Sequence, residues 1–179
     1  EICKNVVGYD KTPTNITSTL SELGIDIHFK DDVTLINESL KNKNNTLVVY
    51  TPAVQVSHEE LVYFKSNDFI IKKRAEVLGL ITENTFCFAV AGTHGKTTTS
   101  SILGHLLKVC NADMTAFLWG ITENYHSNLI VNGSKISVVE ADEFDRSFLQ
   151  LSPDVACITS MDADHLDIYG QADELEKSF

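Results

Sequence analysis

Hydrophobic and polar positions in the N-terminal part of the chain follow two periods and predict short strands separated by amphipathic helices. Pro13 suits the first helical position, so Thr12 is the predicted N-cap of the first helix. Strands that alternate with helices at this spacing predict an α/β fold with a parallel sheet and crossover helices. The predicted strands are residues 6–9, 25–29, 46–50 and 69–71, and the helices after the first are residues 32–40, 57–65 and 74–81.

A glycine-rich turn follows the apolar run at residues 88–91 and opens into a helical pattern that reaches about Val109. Glycines let backbone N–H groups turn toward an anion, and the helix points its positive end at the same place. Lys96 can reach terminal phosphates and the Thr97 hydroxyl can bind Mg²⁺. Val90 stands where the full phosphate-loop pattern has its first glycine, so this is a shortened variant. The turn predicts nucleoside triphosphate binding by Gly92, Thr93, His94, Gly95, Lys96, Thr97 and Thr98.

A polar break at residues 82–84 predicts a domain boundary, with one domain over residues 1–82 and a second over residues 83–179. The second domain continues with a strand at residues 115–118 and a hairpin that turns at Asn132 and Gly133, a strong two-residue turn signal. The second arm of that hairpin covers residues 136–139 and runs directly into an acidic cluster. The ends of parallel strands form the ligand-binding edge of such sheets, so acidic residues there are candidates for chemistry.

Glu140 is the best candidate for a magnesium ligand, because it follows an uninterrupted strand-like run. Mg²⁺ prefers oxygen ligands and keeps several waters, so one or two carboxylates near the phosphates suffice. Asp142, Glu143 and Asp145 share the same loop, and we expect at least two of them to be caps or solvated groups. Phosphoryl transfer depends mainly on charge neutralisation, which this arrangement supplies.

His165 stands out among the six histidines because Asp162, Asp164 and Asp167 surround it after an apolar run at residues 155–159. Carboxylates in these positions can orient the ring of a metal-binding histidine. The alternative is an Asp-rich helix N-cap that contains an incidental histidine. Asp10 also has two interpretations, since an acidic residue after a strand either holds ribose hydroxyls or caps a solvated turn.

Charge and composition exclude several classes of partner. The net charge is −11, with 25 acidic against 14 basic residues, which argues against a duplex nucleic-acid surface and against an anionic membrane. Four scattered cysteines predict reduced thiols rather than zinc or disulfide sites. Neither a long apolar run nor a signal peptide is visible, which predicts a cytoplasmic protein. The sequence starts without Met a few residues before a predicted strand and stops inside a helical pattern, so we expect a piece of a longer chain.

Three motifs in order resemble the Mur ligases of bacterial cell-wall synthesis: residues 91–99, residues 140–149 and residues 162–170. Residues 8–10 resemble the end of a strand in the UDP-binding domain of that family, and residues 50–53 resemble its substrate loop. The resemblance implies a partial Rossmann-like UDP-sugar-binding domain. It also implies that a partial ATP-binding domain follows, with a mostly parallel sheet flanked by helices.

The resemblance implies ATP-dependent amide-bond formation, in which L-alanine joins the lactyl carboxylate of UDP-N-acetylmuramate through an acyl phosphate. Lys96 would hold the phosphates, and Thr97 and Glu140 would bind a first Mg²⁺. His165 would hold a second Mg²⁺ beside the carboxylate. The implied catalytic residues are therefore Lys96, Glu140 and His165. The residues implied to contact the UDP-sugar substrate are Asp10, Thr51, His94 and Asn128.

Three other functions remain open at this point. A related ligase joins a tripeptide to the same sugar nucleotide, and a regulatory ATP-binding module would need no ligase chemistry. Folylpolyglutamate synthases are related, but they typically carry Asn where His94 stands. Trp119 departs from the family pattern, which has glycine there, and it is expected to crowd the substrate cleft or mark local divergence. A glycine-rich loop before Glu1 and a third domain after Phe179 are expected, so the isolated piece is predicted to be inactive.

Overall fold

The computed structural model describes residues 5–162, which fall into two compact units divided between Lys72 and Lys73. Each unit mixes helices with small or mostly parallel sheets, which confirms the predicted α/β class. The predicted domain boundary between residues 82 and 83 stays a prediction.

The N-terminal unit contains two two-stranded sheets and two helices. β1 and β2 pair in parallel, and β3 pairs with β4. Its core is built on Ile36, Phe64 and Phe69, and the two phenylalanine rings meet edge to face with centroids 4.9 Å apart. The elements are β1 (Val7–Tyr9), α1 (Asn15–Glu22), β2 (Asp26–His28), β3 (Leu47–Tyr50), α2 (Glu59–Ser66) and β4 (Ile70–Lys73).

The first helix begins later than predicted, because Thr14 rather than Thr12 is its N-cap. Thr14 Oγ1 accepts a hydrogen bond from the Thr17 N–H at 3.2 Å, and Thr17 Oγ1 accepts one from the Thr14 N–H at 2.8 Å. This reciprocal capping box satisfies two amides that the helix leaves unpaired. The Thr12 N–H instead donates to Asp10 Oδ1 at 3.0 Å, which makes Thr12 part of the preceding turn.

The predicted helix at residues 32–40 is wrong. The structure has two short 3₁₀ turns there, Val33–Leu35 and Glu38–Leu40, whose first amides bind the side chains of Asp32 and Asn37. Ile36 lies between them with an extended backbone and is 5% exposed. Two local caps compete with a continuous helix, and burial of Ile36 in the core favours the broken form.

The C-terminal unit is a five-stranded sheet with helices, and its strand order is β7-β6-β8-β5-β9. Among the described strands, β5, β6, β8 and β9 run parallel, and β7 pairs antiparallel with β6. This confirms the mostly parallel sheet. The elements are α3 (Arg74–Thr82), β5 (Phe86–Ala91), α4 (Lys96–Val109), β6 (Met114–Thr122), β7 (Ser127–Val131), β8 (Ile136–Glu140), a 3₁₀ segment (Phe144–Gln150) and β9 (Val155–Ile158).

The predicted hairpin at Asn132 and Gly133 is also wrong, because the strands on either side of it do not pair with each other. β6 lies between β7 and β8, so this connection crosses the beginning of β6. The Asn132 N–H donates to Met114 O at 2.7 Å, and Asp113 accepts hydrogen bonds from the Ser134 and Lys135 amides. Asn132 and Gly133 therefore lie in a crossover from β7 to β8. The hairpin in this part of the chain is the one that joins β6 to β7.

α4 packs on the sheet through its small residues. A Cβ on Gly104 would lie 3.0 Å from Ala116 Cβ, so helix and strand approach closely there. A cluster around Met114, Ile130 and Val138 fills this face. The 3₁₀ segment packs against the alanines of β5 through Phe148 in a separate cluster. Within residues 5–162, no helix is both long and apolar enough to cross a lipid bilayer.

Candidate nucleotide-binding site

Residues 92–95 form a tight turn between β5 and α4, at the carboxyl edge of the sheet. Gly92 has φ of 116° and Gly95 has φ of 81°, and Gly95 caps the helix. A Cβ on Gly92 would lie 2.5 Å from Thr159 Oγ1 and 2.7 Å from Ser160 O. Glycine is required at position 92 for its backbone conformation and for this close approach. The turn thus brings the positive end of α4 to the carboxyl edge of the sheet, a position that favours an anion.

Side chains that follow β9 hold this turn in place. Ser160 Oγ lies 2.8 Å from Thr93 Oγ1 and accepts a hydrogen bond from the His94 N–H at 2.9 Å. Thr159 Oγ1 donates to Ala91 O at 3.0 Å and also bonds His94 O. Sequence reasoning did not identify Thr159 or Ser160, and the only signal was two hydroxyl residues at the end of the predicted strand at residues 155–159.

Lys96 is the first residue of α4, and its ammonium group lies among three oxygen atoms. Nζ donates to Gly92 O at 2.7 Å and contacts both carboxylate oxygens of Glu143 at 2.8 Å. Glu143 is fully buried, so it is not one of the solvated groups of this acidic loop. A buried carboxylate needs an opposite charge or strong hydrogen bonds, and Lys96 supplies both.

Glu140 is the last residue of β8 and is 4% exposed. Its Oε1 accepts a hydrogen bond from the Thr97 hydroxyl at 2.5 Å, and its Oε2 accepts one from the Trp119 N–H at 2.8 Å. A hydroxyl and a carboxylate therefore meet beside the glycine turn. This all-oxygen donor set is the kind that Mg²⁺ prefers. The residues fit the cation that the sequence implied.

Trp119 lies beside the Glu140 carboxylate. Its indole Nε1–H donates to Glu140 O at 3.3 Å, and the Arg74 guanidinium lies over the ring at 3.8 Å from the centroid. Burial lowers the pKa of Arg74, and the nearby Asp142 carboxylate opposes that shift. Trp119 is thus integrated into the site between Glu140 and α3. Sequence reasoning had expected Trp119 to crowd the substrate cleft or mark local divergence, and it had not identified Arg74 as a site residue.

The remaining predicted residues lie in different places. His94 is largely exposed, with Nε2 3.8 Å from Asp162 Oδ2, and Thr98 is exposed on α4. Asn128 lies in β7, beside an irregularity in its pairing with β6. Asp10 and Thr51 belong to the N-terminal unit. The roles of these residues stay predictions.

His165 lies outside the described residues, as does most of the third motif at residues 162–170. Its predicted role at a second Mg²⁺ stays a prediction.

A glycine turn between a parallel strand and a helix that opens with Lys-Thr has the order of elements of a phosphate-binding loop. The chain belongs to the Mur ligase family. A model of the Mur ligase middle domain matches residues 90–179, and a model described as the Mur ligase family catalytic domain matches residues 4–85.

Several relatives are very similar to this chain over almost its whole length. A UDP-N-acetylmuramate–L-alanine ligase from Flavobacterium johnsoniae is 64% identical over 99% of this chain, and one from Flavobacterium psychrophilum is 62% identical over 99%. The crystal structure of the UDP-N-acetylmuramate-alanine ligase MurC from Thermotoga maritima superposes with a TM-score of 0.84 at 31% identity, covering 97% of this chain and 40% of that one. This chain spans 39% and 40% of the length of the two Flavobacterium relatives.

Proposed function

We propose that this chain is the part of an ATP-dependent ligase that binds ATP and UDP-N-acetylmuramate, and that the whole enzyme adds L-alanine to the lactyl carboxylate of the sugar nucleotide through an acyl phosphate. Residues 1–82 would bind the UDP-sugar and residues 83–179 would bind ATP. The names of the similar proteins support this substrate pair. The observation that carries the proposal is the meeting of Lys96, Thr97 and Glu140 at one edge of the sheet.

The proposed mechanism assigns each side chain a role that its position allows. Loop amides and Lys96 would hold the terminal phosphates of ATP and offset their charge. Thr97 and Glu140 would hold Mg²⁺, and His165 is proposed for a second Mg²⁺. Bound Mg²⁺ would supply charge neutralisation and polarise phosphoryl oxygens. Glu140 is already fixed by hydrogen bonds on both carboxylate oxygens, so little reorganisation is needed there.

The experiment measures phosphate release by the full-length protein with ATP, Mg²⁺ and UDP-N-acetylmuramate. We expect release to require L-alanine, and we expect Lys96→Met to reduce it by about 100-fold or more, because preorganised charge is the main source of catalysis at such sites. Lys135→Met is the matched control, since the Lys135 side chain is 82% exposed. Release that depends on a tripeptide instead of alanine would identify the related ligase that joins a tripeptide to the same sugar nucleotide.

A regulatory ATP-binding module is the alternative from another class. Binding of UDP-N-acetylmuramate by the full-length protein, measured by calorimetry, counts against that alternative. We also expect the isolated 179-residue chain to show no alanine-dependent phosphate release. Detectable turnover by the isolated chain would contradict the view that segments outside it complete the active site.

A further inference from the structure

Glu143 contacts Lys96 through both of its carboxylate oxygens. Its position in an acidic loop did not predict this contact. Three oxygens lie within 2.8 Å of Lys96 Nζ, and two of them belong to Glu143. A lysine ammonium has three donors and no acceptor. In this structure its donors are therefore directed to protein oxygens, and a phosphate has to replace at least one of them.

Burial makes this ion pair different from a surface salt bridge. The side chain of Glu143 is 1% exposed and that of Lys96 is 14% exposed. Buried charges interact strongly because water screens them weakly, and removing one partner leaves the other uncompensated. The pair is consequently a strong constraint on where the ammonium group lies.

The backbone of Glu143 is continuous with a segment that packs against β5. Glu143 precedes the 3₁₀ segment Phe144–Gln150, and its carbonyl accepts a hydrogen bond from the Arg146 N–H at 3.0 Å. Phe148 in that segment packs on Ala89 and Ala91 of β5. The same strand leads into the glycine turn, so Glu143 and the turn share one rigid support.

We propose that Glu143 is a positioning residue for Lys96, which presets the ammonium group beside the glycine turn and releases at least one contact when the triphosphate of ATP binds. This inference rests on the proposed ATP-binding function of the turn. The exchange replaces a carboxylate oxygen with a phosphate oxygen at the same ammonium group. It also couples nucleotide binding to the 3₁₀ segment that Glu143 precedes.

The proposal predicts opposite effects on binding and on chemistry. The Glu143 carboxylate competes with the phosphates for Lys96 and repels their negative charge, so removal of its charge favours nucleotide binding. Lys96 is then less well placed on the transferring phosphoryl group, so transfer becomes slower. A change that tightens binding and slows catalysis separates the two contributions. Simple loss of structure would weaken both.

The test uses the full-length protein with Glu143→Gln, which keeps the length of the side chain and one oxygen acceptor. Calorimetry measures the Kd of a non-hydrolysable ATP analogue with Mg²⁺, and single-turnover ADP formation with ATP and UDP-N-acetylmuramate measures transfer. We expect the Kd to fall about fivefold, within the usual range of coupling energies, and transfer to slow about 10- to 100-fold from misplacement. Glu123→Gln is the matched control, because it removes the same charge from an exposed position in the β6–β7 turn.

A second measurement on the unmodified protein keeps the test decisive if Glu143→Gln does not fold. Hydrogen exchange with and without the ATP analogue should show reduced protection over residues 143–150 when nucleotide binds, while β7 stays unchanged. An unchanged or weaker affinity of Glu143→Gln, or unchanged exchange over that segment, would overturn the role of Glu143. Failure of the unmodified full-length protein to bind ATP would instead overturn the proposed function.

Discussion

The Thr97 hydroxyl donates a 2.5 Å hydrogen bond to Glu140 Oε1, which joins the first turn of α4 to the last residue of β8 across 43 positions of sequence. Parallel pairing places Val90 of β5 opposite Glu140. The glycine turn begins two residues after Val90, so the sheet register itself brings the carboxylate to the turn. The relationship between Thr97 and Glu140 is therefore set by strand pairing.

Replacement of the carboxylate tests whether this pair holds Mg²⁺. Glu140→Gln in the full-length protein should abolish the dependence of nucleotide affinity on Mg²⁺, because an amide is a weak ligand for this cation. We expect alanine-dependent phosphate release to fall about 100-fold or more, as for other preorganised charged groups. Calorimetry with and without Mg²⁺ provides the measurement, with Glu123→Gln as the control. Affinity that still rises with Mg²⁺ would contradict the assignment.

The close approach at Gly92 makes a second prediction. Gly92→Ala should lower stability by about 1–3 kcal/mol, because it strains a positive-φ position and forces a Cβ against Thr159 and Ser160. Nucleotide affinity should fall with it, since the turn must move. Gly24→Ala is the matched control, because Gly24 also has positive φ, 87°, but a Cβ there meets nothing within 4 Å.

Chemical denaturation and nucleotide titration of the two glycine variants separate the effect of the Cβ contacts at Gly92 from the cost of a positive φ. The Gly24 variant should show only the conformational cost, about 1–2 kcal/mol, with nucleotide affinity unchanged. Equal losses of stability and of affinity in both variants would mean that the contacts of Gly92 are unimportant.

Local signals made the glycine turn easy to predict. Gly92, Gly95 and Lys96 are consecutive or nearly so, and the boundaries of α4 follow from Lys96 and an apolar helical period. Glu140 could also be identified, because it continues a strand directly. These features depend on residues that are close together in the sequence, so local patterns are enough to predict them.

Features that depend on tertiary contacts could not be predicted in the same way. Nothing in the sequence separates the role of Glu143 from that of its neighbour Asp142. Only the fold brings the Glu143 carboxylate to the Lys96 ammonium group. The Asn132-Gly133 turn signal is real, but Asp113 uses the adjacent amides to guide a crossover rather than a hairpin. Strand order is set by side chains that are remote in sequence, so the turn signal alone cannot determine it.

The stacked pair of Arg74 and Trp119 gives a third prediction. A double-mutant cycle with Arg74→Ala and Trp119→Ala should yield a coupling energy of about 0.5–1 kcal/mol, typical of a partly exposed cation–π contact. Trp119→Phe keeps a ring face for Arg74 and removes the indole bond to Glu140 O. It should therefore retain most of the coupling. Thermal and denaturant unfolding measure it, and a coupling energy near zero would contradict the stacking contribution.

The Asp113 carboxylate gives a prediction about pH. Hydrogen bonds from the Ser134 and Lys135 amides hold the pKa of Asp113 below its ordinary value of 3.8. The folded state therefore binds fewer protons than the unfolded state at acidic pH, and the stabilisation is lost as pH falls through the lowered pKa. Asp113→Asn should be less stable than the parent chain at pH 7, and the difference should shrink as the pH falls through the lowered pKa of Asp113. Denaturant unfolding followed by fluorescence of Trp119, the single tryptophan, measures this. A stability difference that persists unchanged at low pH would show that charge on Asp113 does not stabilise the crossover.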